Sequence, residues 1–412
     1  MTAAEALLQQ DPWSVPLESI EPAQPTLFAA DAHWEWFRRL REEDPVHYSE
    51  HEMFGPYWSV TRYDDIMTVD TSHEIYSSKG DITLRDQPED FQTPMFIAMD
   101  EPEHSLQRSA VNPVVGSRNL PNFAELIRKR TQEVLDDLPD GETFNWVDTV
   151  SIELTTRMLA TLFDFPYEQR SKLTRWSDVA TAIPGMGVIV DEDERRAELI
   201  ECLEFFTELW NQRVNEEPGY DMVSMLAHGE ATRNMAPLEY LGNLLLLIVG
   251  GNDTTRNSMS GSVLALNLFP GEDAKLRANP KLIPSMVSET IRWQTPLAHM
   301  RRRALVDTEL GGKQIKAGDK VCMWYVSGNR DDAVFDSPNE YIIDRPNVRK
   351  HLSFGYGIHR CMGSHLAELQ LRILWEEILE RFEKIEVVGD VERSQSVFVK
   401  GYTKLPVRVQ RK

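Results

Sequence analysis

Phe354-Gly355-Tyr356-Gly357-Ile358-His359-Arg360-Cys361-Met362-Gly363 is the stretch from which the rest of the chain is read. It places one cysteine at the end of a glycine-rich approach. Beyond Gly363 the apolar residues Leu366, Leu369, Ile373 and Leu374 recur at helix-like intervals, which predicts a helix starting just after Cys361. Free amides and the positive dipole end of that helix face the sulfur and are expected to lower its pKa. Gly355, Gly357 and Gly363 let the backbone turn sharply and come close to something flat and bulky. A thiolate held there can serve as a nucleophile, a zinc ligand or the single axial ligand of a haem iron. Zinc asks for several Cys or His ligands at short spacing, and only His359 is near, so a tetrahedral site is disfavoured. A nucleophile needs a partner base, which the sequence does not exclude.

At 412 residues the chain can bury a large core, and 41% hydrophobic with 27% charged residues is the balance of a soluble globular protein. The formal net charge of −22 makes a surface that repels nucleic acid and anionic membranes. Cys202, Cys322 and Cys361 form an odd and sparse set, which disfavours a disulfide framework and fits a reducing cytosol. Met1 to Trp13 shows neither a secretory leader nor a spanning helix, and Leu244 to Gly251, the most apolar run, is too short to cross a bilayer. A cytoplasmic protein with no nucleic-acid partner and no membrane span is expected. No repeat or linker divides the text, so residues 1–412 read as one domain, with 1–30 a proline-interrupted N-terminal arm.

Working outward, Ala32 to Asp44 reads as an amphipathic helix, and His47-Tyr48 with Tyr57 to Val60 as short strands around the turn Gly55-Pro56. Asp64 to Thr71 reads as a short helix. Asp81 to Met99 is a loop holding Ile82, Leu84, Phe91, Met95, Phe96, Ile97 and Met99, too apolar to lie bare on a surface. Asp100 to Arg108 opens a helix with His104 and Arg108 on one face. Helices follow over Leu120 to Leu138, Val147 to Phe163, Tyr167 to Ala182, Asp191 to Glu216 and Met222 to His228, with Ile183 to Ile189 an apolar, flexible break.

Pro237 to Phe269 is the longest helical pattern, and Gly250-Gly251-Asn252-Asp253-Thr254-Thr255 interrupts its centre. Two interior glycines cost roughly 1 kcal/mol each, so close approach to a ligand or local widening is expected there. Leu247, Gly250, Gly251 and Thr254 share one face. Asp253 beside Thr254 sets an acid next to an alcohol in apolar surroundings, which raises a carboxyl pKa and suits proton delivery. Glu289 and Arg292 lie three apart on a further helix. Arg301-Arg302-Arg303, in an acidic protein, ask for an anionic partner.

The ten-residue stretch resembles the haem-binding loop of the cytochrome P-450 family, Phe-Gly-x-Gly-x-His-x-Cys-x-Gly, at every fixed position. Three other segments follow that family's patterns in its order. They are His104 with Arg108, Gly250 to Thr255, and Glu289 with Arg292, the last joined to Pro338, Tyr341 and Arg345, where tyrosine stands in place of the common phenylalanine. Asn329-Arg330-Asp331-Asp332 departs from the family in having aspartate where proline is frequent. The resemblance spans nearly the whole chain. It implies a mainly α fold with a small β region, a triangular prism of helices around a buried haem b. It makes Cys361 the iron ligand, and gives haem contacts to Phe354 and Gly251 and propionate contacts to His104, Arg108, Arg302 and His359, with Arg301 or Arg303 left solvated. Thr254 would steady activated oxygen, Asp253 would relay protons, and Glu289, Arg292 and Arg345 would be scaffold.

The same resemblance implies an O₂-dependent monooxygenase. The chain carries no flavin or nicotinamide fingerprint, so a [2Fe–2S] ferredoxin and its ferredoxin reductase are the expected electron partners, with Arg118, Arg128, Lys129, Arg130, Lys350 and Arg360 a candidate docking island. The stretches Leu244 to Ser258, Arg292 to Arg302 and Met323 to Asp332 look closely like the bacterial branch that attacks terminal methyls of medium-chain alkanes and fatty acids. Ile82, Leu84, Met95, Phe96, Leu247, Leu297 and Phe398 are the expected walls of its apolar substrate pocket. Burying an octyl chain is worth on the order of 6 kcal/mol at ~0.8 kcal/mol per methylene. Arg85 is a candidate partner at the mouth for a substrate carboxylate. Other readings are a hydroxylase of another apolar substrate such as a terpene or cyclic hydrocarbon, an H₂O₂-dependent peroxygenase, and a non-catalytic haem protein.

Overall fold

The structure, a computed structural model, describes residues 3–116 and 118–412; Met1 and Thr2, the first residues of the expected arm, and Ser117 lie outside the described residues. The helices in chain order are α1 (Ala3–Leu8), α2 (Pro25–Ala29), α3 (Trp34–Glu43), α4 (Tyr63–Thr71), α5 (Glu103–Val115), α6 (Leu120–Asp136), α7 (Glu153–Leu162) and α8 (Ser171–Thr181). They continue as α9 (Glu192–Arg213), α10 (Met222–His228), α11 (Pro237–Leu268), α12 (Pro270–Ala278), α13 (Ile283–Gln294), α14 (Tyr325–Gly328) and α15 (Ser364–Arg381). The strands are β1 (Val46–His51), β2 (Gly55–Val60), β3 (Tyr76–Ser77), β4 (Thr143–Asn145), β5 (Met300–Ala304) and β6 (Thr308–Leu310). After them come β7 (Lys313–Ile315), β8 (Lys320–Met323), β9 (Phe382–Val387), β10 (Glu392–Arg393), β11 (Tyr402–Lys404) and β12 (Pro406–Arg411).

Helix α11 is the axis. Proline at its first turn loses no hydrogen bond, and Pro270 follows its end. It packs against α7, α8, α9, α13 and α15, and its apolar residues divide between two buried clusters. One, with Leu244 and Ile248, faces α7, α8 and α9; the other, with Met259 and Val263, faces α13 and α15. The loop over residues 81–99 finds its support on this helix too. A Cβ at Gly242 would lie 2.1 Å from the Pro94 carbonyl oxygen, so only glycine admits the loop backbone. The Phe96 amide donates to Asn243 Oδ1 one residue on (2.9 Å).

The main sheet has the order β1-β2-β8-β5-β3. Its first hairpin departs from expectation. Gly55 and Pro56 are the first residues of β2, and the turn is residues 52–54, because Gly55 takes the left-handed conformation (φ +68°) that closes a three-residue loop. The segment expected as an arm is not free either. Ile20 and Leu27 are buried against Trp36 and Leu40 of α3, and Arg39 Nη1 donates to the Val15 carbonyl (2.7 Å). The helix expected from Val147 begins as a π-type turn, Val147–Ile152, before α7.

Candidate functional site

The stretch 354–363 leaves the sheet region, makes one 3₁₀ turn (Gly357–His359) and enters α15. Gly355 and Gly357 have φ of +63° and +66°, and a Cβ at Gly357 would meet the Asp70 carbonyl oxygen at 2.7 Å. Asp70, at the end of α4, is the anchor of this turn. Its carboxylate accepts from the Tyr356 amide (2.7 Å), the Tyr325 hydroxyl (3.0 Å) and Arg302 Nη2 (2.9 Å). The loop closes on itself through the Cys361 amide and the Phe354 carbonyl (2.8 Å). Met362 and Leu366 then pack into the cluster that contains Leu244 and Ile248.

Cys361 is held as the sequence suggests, but its acidity is not. The amides of Gly363 and Ser364 and the charges of Arg108 and Arg360 act on the thiol as expected, yet burial outweighs them and the pKa is raised. The sulfur lies deep enough to be desolvated while its side chain still presents open surface. It therefore faces a space inside the fold and not a packed neighbour. Near it, His104 and His359 stand with ring centroids 4.1 Å apart. The His104 ring nitrogens meet the Phe96 carbonyl (2.7 Å) and the Ile358 carbonyl (3.1 Å), and Arg108 Nη2 donates to the Arg360 carbonyl (2.5 Å). His359 Nε2 meets Ser78 Oγ at 2.9 Å, while its Nδ1 is buried without a partner. Burial, then the charges of Arg302, His104, Arg108 and His73, hold the His359 ring well below its ordinary pKa.

Two guanidiniums, Arg108 and Arg302, converge there with the rings of His104 and His359, and charge withdrawn from water needs anionic partners. Arg302 has a single carboxylate partner, Asp70, and otherwise donates to the Arg301 carbonyl (2.9 Å). The residues present thus suit a haem: a thiol turned to an internal space, two helix amides behind it, and a cation cluster with an orphaned ring nitrogen at the edge. Of Arg301 and Arg303, one of them expected to be solvated, Arg301 is buried and paired with Asp86 (2.6 Å) and Asp81 (3.2 Å) of the 81–99 loop. Arg303 is exposed and donates to Gly318.

On α11 the two glycines part company. No atom lies within 4 Å of a Cβ built at Gly250, whereas one at Gly251 would meet Leu159 Cδ2 of α7 at 2.8 Å. The open position therefore belongs to Gly250, while the side-chain direction of Gly251, the glycine expected to touch haem, is filled by α7. Its direction lies at the flank of the shared face, where the neighbouring helix reaches it. Thr254 Oγ1 donates to the Gly250 carbonyl (2.9 Å), which leaves its lone pairs free. Asp253 is fully buried, with Oδ1 accepting from Ser177 Oγ (3.0 Å) and Asn252 Nδ2 (3.2 Å) and ion-paired with Arg256 (2.9 Å), while Oδ2 has no partner. Burial raises its pKa to about 6 against the pull of Arg256. Arg256 also pairs with Asp178 of α8 (2.5 Å). Ser177, Asp178 and Arg256 were not read from the sequence as part of the site. Arg256 had a visible signal, a guanidinium one turn from the acid; the α8 pair had none.

The expected pocket residues fall into two groups. Ile82, Leu84, Leu297 and Phe398 are drawn together by backbone bonds: the Arg301 amide donates to Ile82 (2.7 Å), the Ala298 amide to Phe398 (2.8 Å), and Leu297 bridges Val399. His299 joins them, accepting from the Leu84 amide at Nε2 (3.2 Å) and donating from Nδ1 to the Val397 carbonyl (2.9 Å). Burial lowers its pKa to about 4, so it keeps this neutral tautomer. Phe96 and Leu247 belong to the cluster on α11, and Met95 is half-buried beside Phe96. Leu84 and Phe398 line one cleft of about 110 Å³ with Arg85, Ile183 and Arg195.

Glu289, Arg292 and Arg345 form one buried network. Glu289 accepts Arg292 Nε (2.7 Å) and Nη2 (2.8 Å), Arg345 Nε (3.1 Å to each oxygen) and the Ile342 amide (2.9 Å). Arg292 also donates to the Asn329 and Pro338 carbonyls (2.7 and 2.8 Å). Of the basic island, Arg128 is neutralised by Glu376 and Glu377 and Arg130 turns to the Arg157 carbonyl (2.5 Å), while Arg118, Lys129, Lys350 and Arg360 are exposed. Among the described residues no helix is long and apolar enough to cross a membrane.

A family model described as Cytochrome P450 matches residues 191–400. The linalool 8-monooxygenase of Pseudomonas putida is 32% identical over 403 residues, covering 95% of this chain and 99% of that protein. Among solved structures, cytochrome P450-153 from Novosphingobium aromaticivorans superposes with a TM-score of 0.89 at 46% identity, covering 97% of this chain and 100% of that one. CYP153D17 from Sphingomonas sp. PAMC 26605 does so with a TM-score of 0.89 at 51% identity, covering 94% and 98%.

Proposed function

The chain belongs to the cytochrome P450 family, a haem b-dependent monooxygenase with that family's mainly helical fold, and from that premise we propose that it hydroxylates the terminal methyl of medium-chain alkanes or fatty acids. Cys361 is proposed as the iron ligand, Phe354 as a haem contact, and His104, Arg108, Arg302 and His359 as the propionate side. Haem, when bound, supplies the iron at which O₂ is reductively activated. The observation that carries the reading is Asp253: a buried carboxyl with one oxygen held by two donors and an ion pair and the other unpartnered, one residue from the Thr254 hydroxyl. With its pKa near 6 it holds a proton through mildly acidic pH and exchanges it near neutrality.

Each remaining group has a task of its own. Oδ1 is pinned, so Oδ2 carries the proton and points it in one direction. Thr254 accepts a hydrogen bond while its own hydrogen stays on Gly250. Gly250 keeps the helix wall thin at that level. The 81–99 loop, sealed to α11 at Gly242 and Asn243, excludes water and brings apolar side chains over the site. Glu289, Arg292 and Arg345 hold α13 to the segment before the cysteine loop. Two electrons come from a [2Fe–2S] ferredoxin and its reductase, docking near Arg118, Lys129, Lys350 and Arg360, in a cytoplasmic setting.

The alkane and fatty-acid choice is supported by the apolar character of Ile82, Leu84, Phe96, Leu247, Leu297 and Phe398 and by the branch-like stretches around Asp253 and Arg302. A terpenoid substrate is the second reading, supported by the likeness to the linalool enzyme. Turnover of octane, dodecanoate and linalool with a ferredoxin, its reductase and NADH, with product positions assigned by mass spectrometry, separates the two. Terminal alcohols are expected from the first two substrates. Oxidation of linalool alone, or attack only at interior methylenes, overturns the terminal-methyl assignment.

A further inference from the structure

The cleft at the end of α8 carries a charge imbalance. Its walls are Leu84, Ile183, Val397 and Phe398, and two guanidiniums, Arg85 and Arg195, stand in its rim. Both pair with one carboxylate: Glu192 Oε2 lies 2.9 Å from Arg85 Nη2, and Glu192 Oε1 2.9 Å from Arg195 Nη1. Arg195 Nη2 reaches the Ala180 carbonyl at 3.3 Å, and its Nε is buried with no partner. The third charged group on the rim, Asp86, is already taken by Arg301 (2.6 Å) and Lys320. Two positive charges therefore share one negative charge at the mouth of an apolar cleft, in a protein whose net charge is −22.

The cleft shares helix α8 with the buried acid. Thr181, on its wall, lies one helical turn from Ser177, which bonds Asp253, about 6 Å along α8 at 1.5 Å per residue.

We propose that Arg85 and Arg195 form a carboxylate-binding site for medium-chain fatty acids, in which the substrate's carboxylate displaces Glu192 from the two guanidiniums and the hydrocarbon chain follows Leu84, Ile183 and Phe398 into the protein. The proposal rests on the reading of this chain as a hydroxylase of apolar chains and adds a specificity device to it. A planar carboxylate takes two N–H donors from a guanidinium at once, and Arg195 has a donor to spare. Glu192, on the first turn of α9, holds the place when no acid is bound. An alcohol or alkane of the same length gains the apolar contacts without the charge exchange.

The test is calorimetric titration of the haem-loaded full chain with dodecanoate and with 1-dodecanol, on the wild type, Arg85→Gln, Arg195→Gln and Glu192→Gln. Each arginine change is expected to raise the dodecanoate Kd about tenfold, about 1.4 kcal/mol, and to leave the dodecanol Kd within about twofold. Glu192→Gln, which removes the competing charge, is expected to tighten dodecanoate binding. Equal losses for acid and alcohol in Arg85→Gln, or dodecanoate affinity unchanged by both arginine variants, overturn the proposal. Should Arg195→Gln not fold, Arg85→Gln and Glu192→Gln still decide, since both are partly exposed and their expected effects have opposite signs. Arginine-dependent dodecanoate binding with no hydroxylated product from any chain overturns the hydroxylase reading and keeps the anchor. Terminal hydroxylation of octane with arginine-independent dodecanoate binding does the reverse.

Discussion

Replacing Asp253 by asparagine is expected to stabilise the protein at pH 8 while impairing its chemistry. The carboxyl is fully buried and its pKa rises from an ordinary 3.8 to about 6, burial being the largest cause. Between those values the unfolded chain has released its proton and the folded chain still holds it. Stability therefore falls as pH rises through that window, and above pH 6 the cost is constant. A shift of roughly two units at 1.36 kcal/mol each sets that cost at about 3 kcal/mol. Asparagine copies the protonated acid in shape and in its unpartnered donor, so Asp253→Asn recovers at most about 3 kcal/mol at pH 8 and nothing below pH 4. For a chain of this size, with m above ~3 kcal/mol per molar urea, the midpoint moves up by somewhat under ~1 M. Urea unfolding of the haem-loaded wild type and variant at pH 4 and pH 8 measures it. Product formation is expected to fall on the order of 10²-fold, the lower end for a lost general acid. A variant no more stable at pH 8, with wild-type turnover and an unchanged pH profile, refutes both the burial argument and the proton-delivery role.

Glu289→Ala strands Arg292 and Arg345 without their shared carboxylate and frees the Ile342 amide; a loss of about 3–5 kcal/mol is expected by denaturant unfolding, and less than about 1 kcal/mol would show the network to be dispensable. Gly357→Ala forces a left-handed backbone and a 2.7 Å contact on Asp70, so a cost above ~2 kcal/mol and a fall in haem per chain are expected, read by absorbance ratio. Thr254→Ala is expected to keep oxidising NADH while releasing hydrogen peroxide in place of product, read by a peroxide assay; full coupling to product would favour the peroxygenase reading.

The elements that local pattern foretold are those whose cause is local. The helix after Cys361, the long helix around Asp253 and the acid–base pair on α13 follow from residues three and four apart, and a periodicity of 3.6 exposes them in any single chain. The parts that escaped depend on neighbours distant in sequence. Gly250 and Gly251 are equivalent as text, and only Leu159 of another helix decides which is packed and which is open. The cysteine's place at a helix start argued for a low pKa, but burial opposes the amides and wins, a balance that needs three dimensions. Arg301 and Arg302 are adjacent and alike, yet they lie on opposite faces of β5, so one serves the 81–99 loop and the other Asp70.

Asp70 shows why the site's framework could not be read. It lies 232 residues from Arg302 and 286 from the Tyr356 amide, in a short helix with no motif of its own. Yet it orients an arginine proposed to face the haem edge and fixes the turn that presents Cys361. A buried carboxylate with its partners in place is stable; with one removed, a charge is left in low dielectric. Substitution at Asp70 should therefore disturb haem retention as strongly as substitution in the cysteine loop, although no local pattern distinguishes it from the exposed acids around it.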